Sequence, residues 1–184
     1  IDFYLNNNEI FFINLYKEKN NYFSNQISYI QNDIRTSPFK DNYFDYITAI
    51  SVIEHIGFDN DIYNNETKKI NFKKNQNYIK AILEIKRNLK KGGKLFLTVP
   101  FGKKQFFKNY MQFDIYEINK IIRIFKPSKY VIEFFKFDNS QKKWKKTSAE
   151  KCKNISARSE GNIGISSNSV ALIEIKKWKI IRFF

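Results

Sequence analysis

Short apolar runs alternate with longer polar or periodic segments along the chain. Four of these runs, rich in β-branched and aromatic residues, cover residues 10–15, 27–30, 44–50 and 94–99. They are largely continuous rather than alternating, which is typical of parallel strands that are covered on both faces. The pattern therefore predicts four strands of a mainly parallel sheet.

A helix is predicted between the third and fourth strands. Its apolar residues recur three or four positions apart or side by side, at Tyr78, Ile79, Ile82, Ile85 and Leu89. Asn75 is a candidate cap at its start, and Gly92 suits a left-handed stop at its end. A strand, a helix and a strand in succession indicate a right-handed parallel crossover.

The second half of the chain carries a further helical pattern at residues 115–125. Two later apolar runs, residues 130–137 and 170–175, predict neighbouring strands. The polar stretch between them, residues 138–169, predicts a long loop. Because no internal repeat or domain boundary is visible, we expect a single domain over residues 1–184.

Composition excludes several classes of protein. Hydrophobic residues make up 42% of the chain and aromatic residues 17%, which is too apolar for a disordered protein. No apolar run approaches the roughly 20 residues that span a bilayer, and no export signal is recognisable. The single cysteine, Cys152, excludes an intrachain disulfide and a cysteine-rich metal site. We therefore expect a cytoplasmic protein without a membrane span.

The charge is strongly positive. With 33 Lys plus Arg against 18 Asp plus Glu, the formal net charge is +15, which favours polyanionic partners. Nearly all of the positive charge is lysine, whereas arginine is the better bidentate ligand of phosphate and bases. Residues 141–146 place Trp144 among four lysines, a pattern that can stack on a nucleic acid. A solvated loop is the favoured interpretation, so nucleic acid is the less favoured partner.

Polar side chains follow three of the predicted strands. Asn14 stands near the end of the first strand, Asp33 follows the second, and Ser51, Glu54 and His55 follow the third. Ligands of open α/β sheets bind outside the carboxyl ends of the strands. The sequence therefore predicts a pocket at this edge of the sheet.

One stretch, NDIRTSPFKDNYFDYITAISVIEHIG, resembles the core of the class I, Rossmann-like S-adenosylmethionine-dependent methyltransferases, in the broad group called type 11. That group shows an acidic residue, Pro-Phe, a second acidic residue, Phe-Asp and Glu-His in this order. The matching positions here are Asp33, Pro38-Phe39, Asp41, Phe44-Asp45 and Glu54-His55. The later ILEIKRNLKKGGKLFLTVPFG resembles the helix, Gly-Gly turn and next strand of the same fold. The resemblance covers roughly residues 10–125.

The resemblance implies an α/β fold with an open twisted sheet, mainly parallel strands, an antiparallel C-terminal strand and helices on both faces. It implies S-adenosylmethionine as the methyl donor and a small-molecule or saccharide methyl acceptor. Asp33 then accepts a hydrogen bond from the adenine amine, and Ile34 packs on the ring. Asn14 binds the ribose, and Ser51 lines the same pocket. A turn or helix-cap role is the alternative for Asp33.

The sequence departs from the family at two places. Asn14 stands where the family usually has Asp or Glu, and an amide is a weaker hydrogen-bond acceptor than a carboxylate. The family's Gly-rich loop and the first strand before it are missing ahead of Ile10, since the first glycine is Gly57. Residues 2–9 are interpreted as the end of the helix that follows this loop. The sequence thus predicts an N-terminally incomplete domain, with a degenerate, non-catalytic binding module as an alternative.

His55 is the sole histidine and the candidate general base toward an acceptor hydroxyl, with Glu54 as the group that orients it. Some members of the family place such a pair around a metal ion, and Asp59, Asp61 and Glu66 lie nearby in sequence. A structural or cofactor-lining role is equally open, and no metal site is predicted. Methyl transfer also proceeds by proximity alone when the acceptor is nucleophilic. An RNA-modifying enzyme is the remaining alternative, supported by charge alone.

Overall fold

A computed structural model of the chain defines residues 9–17, 27–58, 77–107, 109–159 and 165–178. The strands within these ranges are β1 (Ile10–Asn14), β2 (Ile27–Gln31), β3 (Phe44–Ile50), β4 (Leu89–Pro100), β5 (Gln105–Phe106), β6 (Met111–Gln112), β7 (Lys129–Asp138), β8 (Lys143–Thr147), β9 (Arg158–Ser159), β10 (Ile165–Ser166) and β11 (Ser169–Lys176). The helices are α1 (Asn77–Asn88), α2 (Ile115–Phe125) and α3 (Ala149–Cys152), with short 3-10 turns at Ile34–Thr36 and Ile53–His55.

The main sheet has five strands in the order β3-β4-β11-β7-β8. β3 and β4 are parallel, and β11 is antiparallel to both of its neighbours, β4 and β7. β7 therefore runs in the same direction as β3 and β4, while β11 and the edge strand β8 run against it. This arrangement confirms the predicted mainly parallel sheet with an antiparallel strand near the C-terminus.

A second, smaller sheet is formed by β1 and β2, which pair in parallel from Ile10↔Ile27 to Asn14↔Gln31. An aromatic cluster joins it to the main sheet, since the ring centroid of Phe11 lies 5.1 Å from that of Phe39 and 5.7 Å from that of Phe44. Within the described ranges no strand pairs with the second edge of β1 or with the outer edge of β3.

The core lies on one face of the main sheet. Alternate residues of the central strands point into it and are fully buried: Leu95, Leu97, Ala171, Ile173 and Ile175. The apolar faces of α1 and α2, together with Cys152 of α3, pack on the same face. Each fully buried Leu or Ile side chain contributes roughly 1.5–3 kcal/mol to folding. The sequence predicts helices on both faces of the sheet. The helices that the structure defines lie on the face that holds this core.

Helix α2 has the bounds that its apolar period predicts. Asp114 caps its start by accepting a hydrogen bond from the backbone N–H of Glu117 at 2.9 Å. Lys126 ends it in the left-handed conformation, at φ 47°, directly before Pro127. Of the helices in the described part of the chain, none is both long and apolar enough to cross a membrane.

Helix α1 ends earlier than predicted. Its last residue is Asn88, and Leu89 already pairs with Phe44 of β3, so the strand predicted at residues 94–99 begins at Leu89. Gly92 and Gly93 lie inside β4 rather than at a helix stop. A Cβ atom at Gly93 would lie 2.8 Å from the backbone oxygen of Asp45, so glycine allows the close approach of β4 to β3. The predicted cap, Asn75, lies outside the described residues.

The prediction of a long loop over residues 138–169 is wrong. This segment contains β8, the short helix α3, and the two-residue strands β9 and β10, which pair with each other. β8 has the sequence KWKKT, and four of its five residues are exposed. An edge strand exposed in this way carries no alternating apolar pattern, and lysines are common on such edges. Periodicity therefore does not reveal it.

Candidate functional site

A cavity of about 1960 Å³ lies between the β1–β2 pair and the main sheet. Its walls include residues 10–16 with β1, residues 29–35 in the end of β2 and the turn after it, and residues 43–49 in β3 and directly before it. Five of the six residues predicted for the site line it: Asn14, Asp33, Ile34, Ser51 and His55. Glu54 is buried behind this wall, at 3% exposure. The structure thus brings together polar groups from the carboxyl ends of three strands, as predicted.

Asp33 caps the 3-10 turn that follows β2. Its Oδ1 accepts hydrogen bonds from the backbone N of Arg35 at 2.9 Å and from the Nε of Arg35 at 3.0 Å. Its Oδ2 accepts from Nε at 2.9 Å and from Nη2 at 2.5 Å. The side-chain hydrogen bond from Arg35 lowers the pKa of Asp33, against a smaller opposing effect of burial. These four contacts, two at each carboxylate oxygen, come from three N–H donors of Arg35.

Two asparagines meet where β1 and β2 end. The backbone oxygen of Asn14 accepts a hydrogen bond from the backbone N of Asn32 at 2.9 Å. The side-chain Oδ1 of Asn32 is buried at the cavity wall and has no hydrogen-bond partner among the described residues. A buried oxygen without a donor costs roughly 1–3 kcal/mol, so this position favours a ligand that brings an N–H or O–H group. Asn32 directly precedes Asp33 but was not among the residues predicted for the site.

Ser51 follows β3 in the left-handed conformation, at φ 50°, which non-glycine residues seldom adopt. Its backbone N donates to the Oγ1 of Thr98 at 3.0 Å, and this bond from the neighbouring strand β4 holds the turn. Strain of this kind persists where surrounding contacts enforce it, and it concentrates at ligand sites. Thr98 lies within the strand predicted at residues 94–99, but its contact with Ser51 was not predicted.

His55 is half-buried at the end of the second 3-10 turn. Its Nδ1 lies 2.7 Å from the backbone oxygen of Asn109, which can only accept, so Nδ1 carries the proton. In the neutral ring Nε2 is then the acceptor, as a general base requires. The ring of Tyr110 lies 5.9 Å away between centroids. The role of Glu54 as the orienting group stays a prediction, and the structure adds the contact of Nδ1 with the backbone of Asn109.

Glu54 is the buried carboxyl group of this region. Burial raises its pKa to about 7, and a side-chain hydrogen bond with Ser51 opposes this rise. Its Oε2 has no hydrogen-bond partner within the described ranges. Nearby, the hydroxyl of Tyr110 is also buried without a partner there, and burial together with the Glu54 carboxylate raises the pKa of Tyr110 to about 12.

The described part of the chain contains no group of three or more His, Cys, Asp or Glu side chains placed to hold a metal ion. Asp59, Asp61 and Glu66, which the sequence places near Glu54 and His55, lie outside the described residues.

Comparisons with known proteins identify the type of domain. Residues 8–97 match the model of a family described as "Methyltransferase domain". None of the curated proteins matches this sequence. A solved structure from Listeria monocytogenes, assigned as an S-adenosylmethionine-dependent methyltransferase, is similar over 93% of this chain and 81% of its own, with 9% identity and a TM-score of 0.51. A SAM-dependent methyltransferase from Thermotoga maritima is similar over 83% of this chain and 65% of its own, with 16% identity and a TM-score of 0.50. The shared fold confirms the predicted α/β, Rossmann-like class.

Proposed function

Because residues 8–97 match the model of a methyltransferase family, we propose that this chain transfers a methyl group from S-adenosylmethionine to a small-molecule or saccharide acceptor. The observation that carries the proposal is the convergence of Asn14, Asp33, Ile34 and Ser51 on one cavity. Polar groups that converge in a large concave site favour ligand binding over a purely structural role.

The cavity wall offers partners for the adenine and the ribose of the cofactor. The carboxylate of Asp33 lines the cavity and is the acceptor for the exocyclic amine of adenine in this proposal, and the half-buried side chain of Ile34 offers an apolar surface for the ring. Asn14 and the Oδ1 of Asn32 suit the ribose hydroxyls, which need hydrogen-bond acceptors. Asn32 thus supplies an acceptor beside Asn14, where the family usually has a carboxylate.

His55 acts as the general base in this proposal. Its Nε2 takes the proton from an acceptor hydroxyl while the oxygen attacks the methyl carbon and the carbon–sulfur bond breaks. Fixing Nδ1 against the backbone of Asn109 keeps the basic lone pair on Nε2. His55 lines the cavity, so an acceptor bound there lies within its reach.

The cofactor site is tested by calorimetric titration with S-adenosylmethionine, on the parent chain and on Asp33→Ala. We expect saturable binding by the parent and a loss of roughly tenfold to a hundredfold in the variant, because a hydrogen bond to a charged group is removed. Asp138→Ala is the control, since Asp138 is also paired with a cation, Lys145, but lies off the cavity wall. Unchanged affinity in Asp33→Ala removes Asp33 from the site, and no binding by the parent contradicts the proposed function.

The general base is tested with His55→Ala, on an acceptor found by following S-adenosylhomocysteine formation across a panel of hydroxyl compounds and saccharides. Turnover should fall by about a hundredfold or more, as is typical for the loss of a general base. The dissociation constant of the cofactor should change by less than about threefold, since catalysis and cofactor binding use different groups. Equal turnover in variant and parent would show that methyl transfer here depends on proximity alone.

A further inference from the structure

Glu54 is a buried acid placed directly behind the cavity wall. Its neighbours in the chain on both sides, Ile53 and His55, line the cavity, and so does Ser51, which is hydrogen-bonded to it. The side chain of Glu54 is 3% exposed, and its Oε2 has no hydrogen-bond partner among the described residues. None of the ion pairs within the described ranges includes it. Within the part of the chain that the structure describes, a carboxylate in this position therefore lacks a compensating cation.

Among the described residues, the elements packed against this turn, α1, β4 and β6, place no lysine or arginine in an ion pair with Glu54. Tyr110, ahead of β6, has its hydroxyl buried and unpartnered in the described part of the chain. On α1, the hydroxyl of Tyr78 donates to Glu117 of α2, and Glu117 is ion-paired with Lys104. His55 contacts the carbonyl of Asn109. A positive charge that arrives in the cavity would therefore be the compensating charge for the Glu54 carboxylate, and a buried site screens this attraction weakly.

We propose that the Glu54 carboxylate makes the cavity prefer the positively charged sulfonium of the methyl donor to the neutral thioether of the demethylated product. The inference rests on the proposed function, and it makes Glu54 a positioning residue that acts through charge across the cavity wall. The donor and the product differ by one methyl group and one positive charge. A negative charge behind the wall attracts the donor alone, so it favours donor binding and product release.

Binding of the donor should change the protonation of Glu54. Burial raises the pKa of Glu54 to about 7, so the carboxyl group is partly protonated near neutrality. A bound sulfonium favours the ionised form and lowers this pKa, so donor binding should release up to about half a proton at pH 7. Product binding should release none from Glu54. The affinity of the donor relative to the product should therefore rise with pH, by about threefold to tenfold between pH 6 and pH 8.

The test is calorimetry with S-adenosylmethionine and with S-adenosylhomocysteine, in buffers of different ionisation enthalpy, on the parent and on Glu54→Gln. We expect Glu54→Gln to lose the pH-dependent preference for the donor and the proton release that accompanies it. Titration of the ligands' own groups is common to both proteins and cancels in their difference. The same proton release and the same preference in both proteins would overturn the inference.

His55→Gln serves as the second variant, because histidine also titrates near neutrality. It keeps Glu54, so proton release on donor binding should persist in it. If Glu54→Gln does not fold, this variant still decides the matter, since a release that vanishes in His55→Gln assigns the proton to His55 and overturns the inference. Failure of the proposed function gives a different calorimetric result from failure of this inference. The parent would then bind neither S-adenosylmethionine nor S-adenosylhomocysteine at any pH.

Discussion

Single residues at this site combine structural and binding roles. Asp33 caps the 3-10 turn Ile34–Thr36 and lines the cavity, so the two roles that its sequence position suggests are compatible. The ion pair with Arg35 lowers the pKa of Asp33 and keeps the carboxylate charged. Glu54 has the opposite environment, since burial raises its pKa to about 7. The pKa values of two carboxyl groups of one site are thus shifted in opposite directions, because Asp33 has a cationic partner and Glu54 has none among the described residues.

The raised pKa of Glu54 predicts a specific dependence of folding stability on pH. The pKa is about 7 in the folded chain and 4.5 when the group is unperturbed, so the folded state binds the proton more tightly. The contribution of the protonated group to stability is fully present below about pH 4.5 and is lost as the pH rises through 7. The total is about 3 kcal/mol, from 1.4 kcal/mol per pKa unit. Glu54→Gln cannot ionise and should lose no stability in this window.

Chemical denaturation of the parent and of Glu54→Gln between pH 4.5 and pH 8 measures this effect. As the pH rises, the free energy of unfolding of the variant should increase relative to that of the parent. The difference isolates Glu54, because the other titrating groups contribute equally to both proteins. Glu150→Gln is the control, since Glu150 is exposed and should show a constant difference from the parent. A constant difference for Glu54→Gln as well would mean that Glu54 ionises without cost in the folded chain.

At the scale of elements, the apolar pattern predicts those strands and helices that face the core. β3 and α2 have the predicted bounds, and β1, β2 and β11 differ from prediction by one residue at an end or at both. In α2 the terminal residues contribute as well, because Asp114 caps the start and Lys126 adopts the left-handed conformation that ends it. An element that buries one face has apolar residues at a regular spacing along its sequence, and prediction from sequence uses this spacing.

The strands that were not predicted lack a regular spacing of apolar residues. β8 is an exposed edge strand, and β9 and β10 have two residues each. Gly92, with φ 85°, was interpreted as a helix stop, yet its backbone N donates to the oxygen of Lys177 within the strand region. A glycine in the left-handed conformation is compatible both with the end of a helix and with a position inside a strand. Only the pairing of β4 with distant segments shows which of the two is formed.

The residues of the site were predicted to the extent that they stand at strand ends. Their partners were not, because the contacts join distant parts of the chain: Thr98 lies 47 residues after Ser51, and Asn109 lies 54 residues after His55. No local pattern encodes such pairs. The resemblance to methyltransferases supplied roles for Asn14, Asp33, Ile34 and Ser51, whereas Asn32 becomes evident only from its unpartnered buried oxygen.

Part of the sequence pattern that carries the resemblance is structural. Arg87 of α1 donates to the backbone oxygens of Ser37 and Phe39, at 3.0 and 2.8 Å, and to the carboxylate of Asp41 at 2.8 Å. Phe39 also belongs to the aromatic cluster with Phe11. These contacts fix the segment between the 3-10 turn and β3 against α1. The Pro-Phe and acidic positions therefore hold one wall of the cavity in place.

At the scale of the whole molecule, the charge distribution leaves a large excess of exposed lysine. In the region of β7, β8 and α3 the acidic side chains are each paired with one lysine, in the pairs Glu133–Lys146, Asp138–Lys145 and Glu150–Lys153. The net charge of +15 therefore remains available to attract polyanions at long range. Attraction of this kind depends on phosphate groups and ionic strength and carries no information about sequence.

This distribution predicts that the chain binds single-stranded RNA and DNA alike, and weakly at physiological salt. If about five phosphates are neutralised, affinity should fall by roughly a hundredfold between 50 and 200 mM salt. Fluorescence anisotropy with RNA and DNA of equal length and sequence measures, for each polymer, the slope of binding affinity against salt concentration. The double variant Lys142→Glu with Lys143→Glu reverses two exposed charges on the strand hairpin and should reduce the slope for both polymers equally. An RNA whose affinity exceeds that of its DNA counterpart and persists at 200 mM salt would contradict this expectation. Such an RNA would replace a small molecule or saccharide as the favoured methyl acceptor, because recognition of RNA against DNA requires contacts that charge alone does not provide.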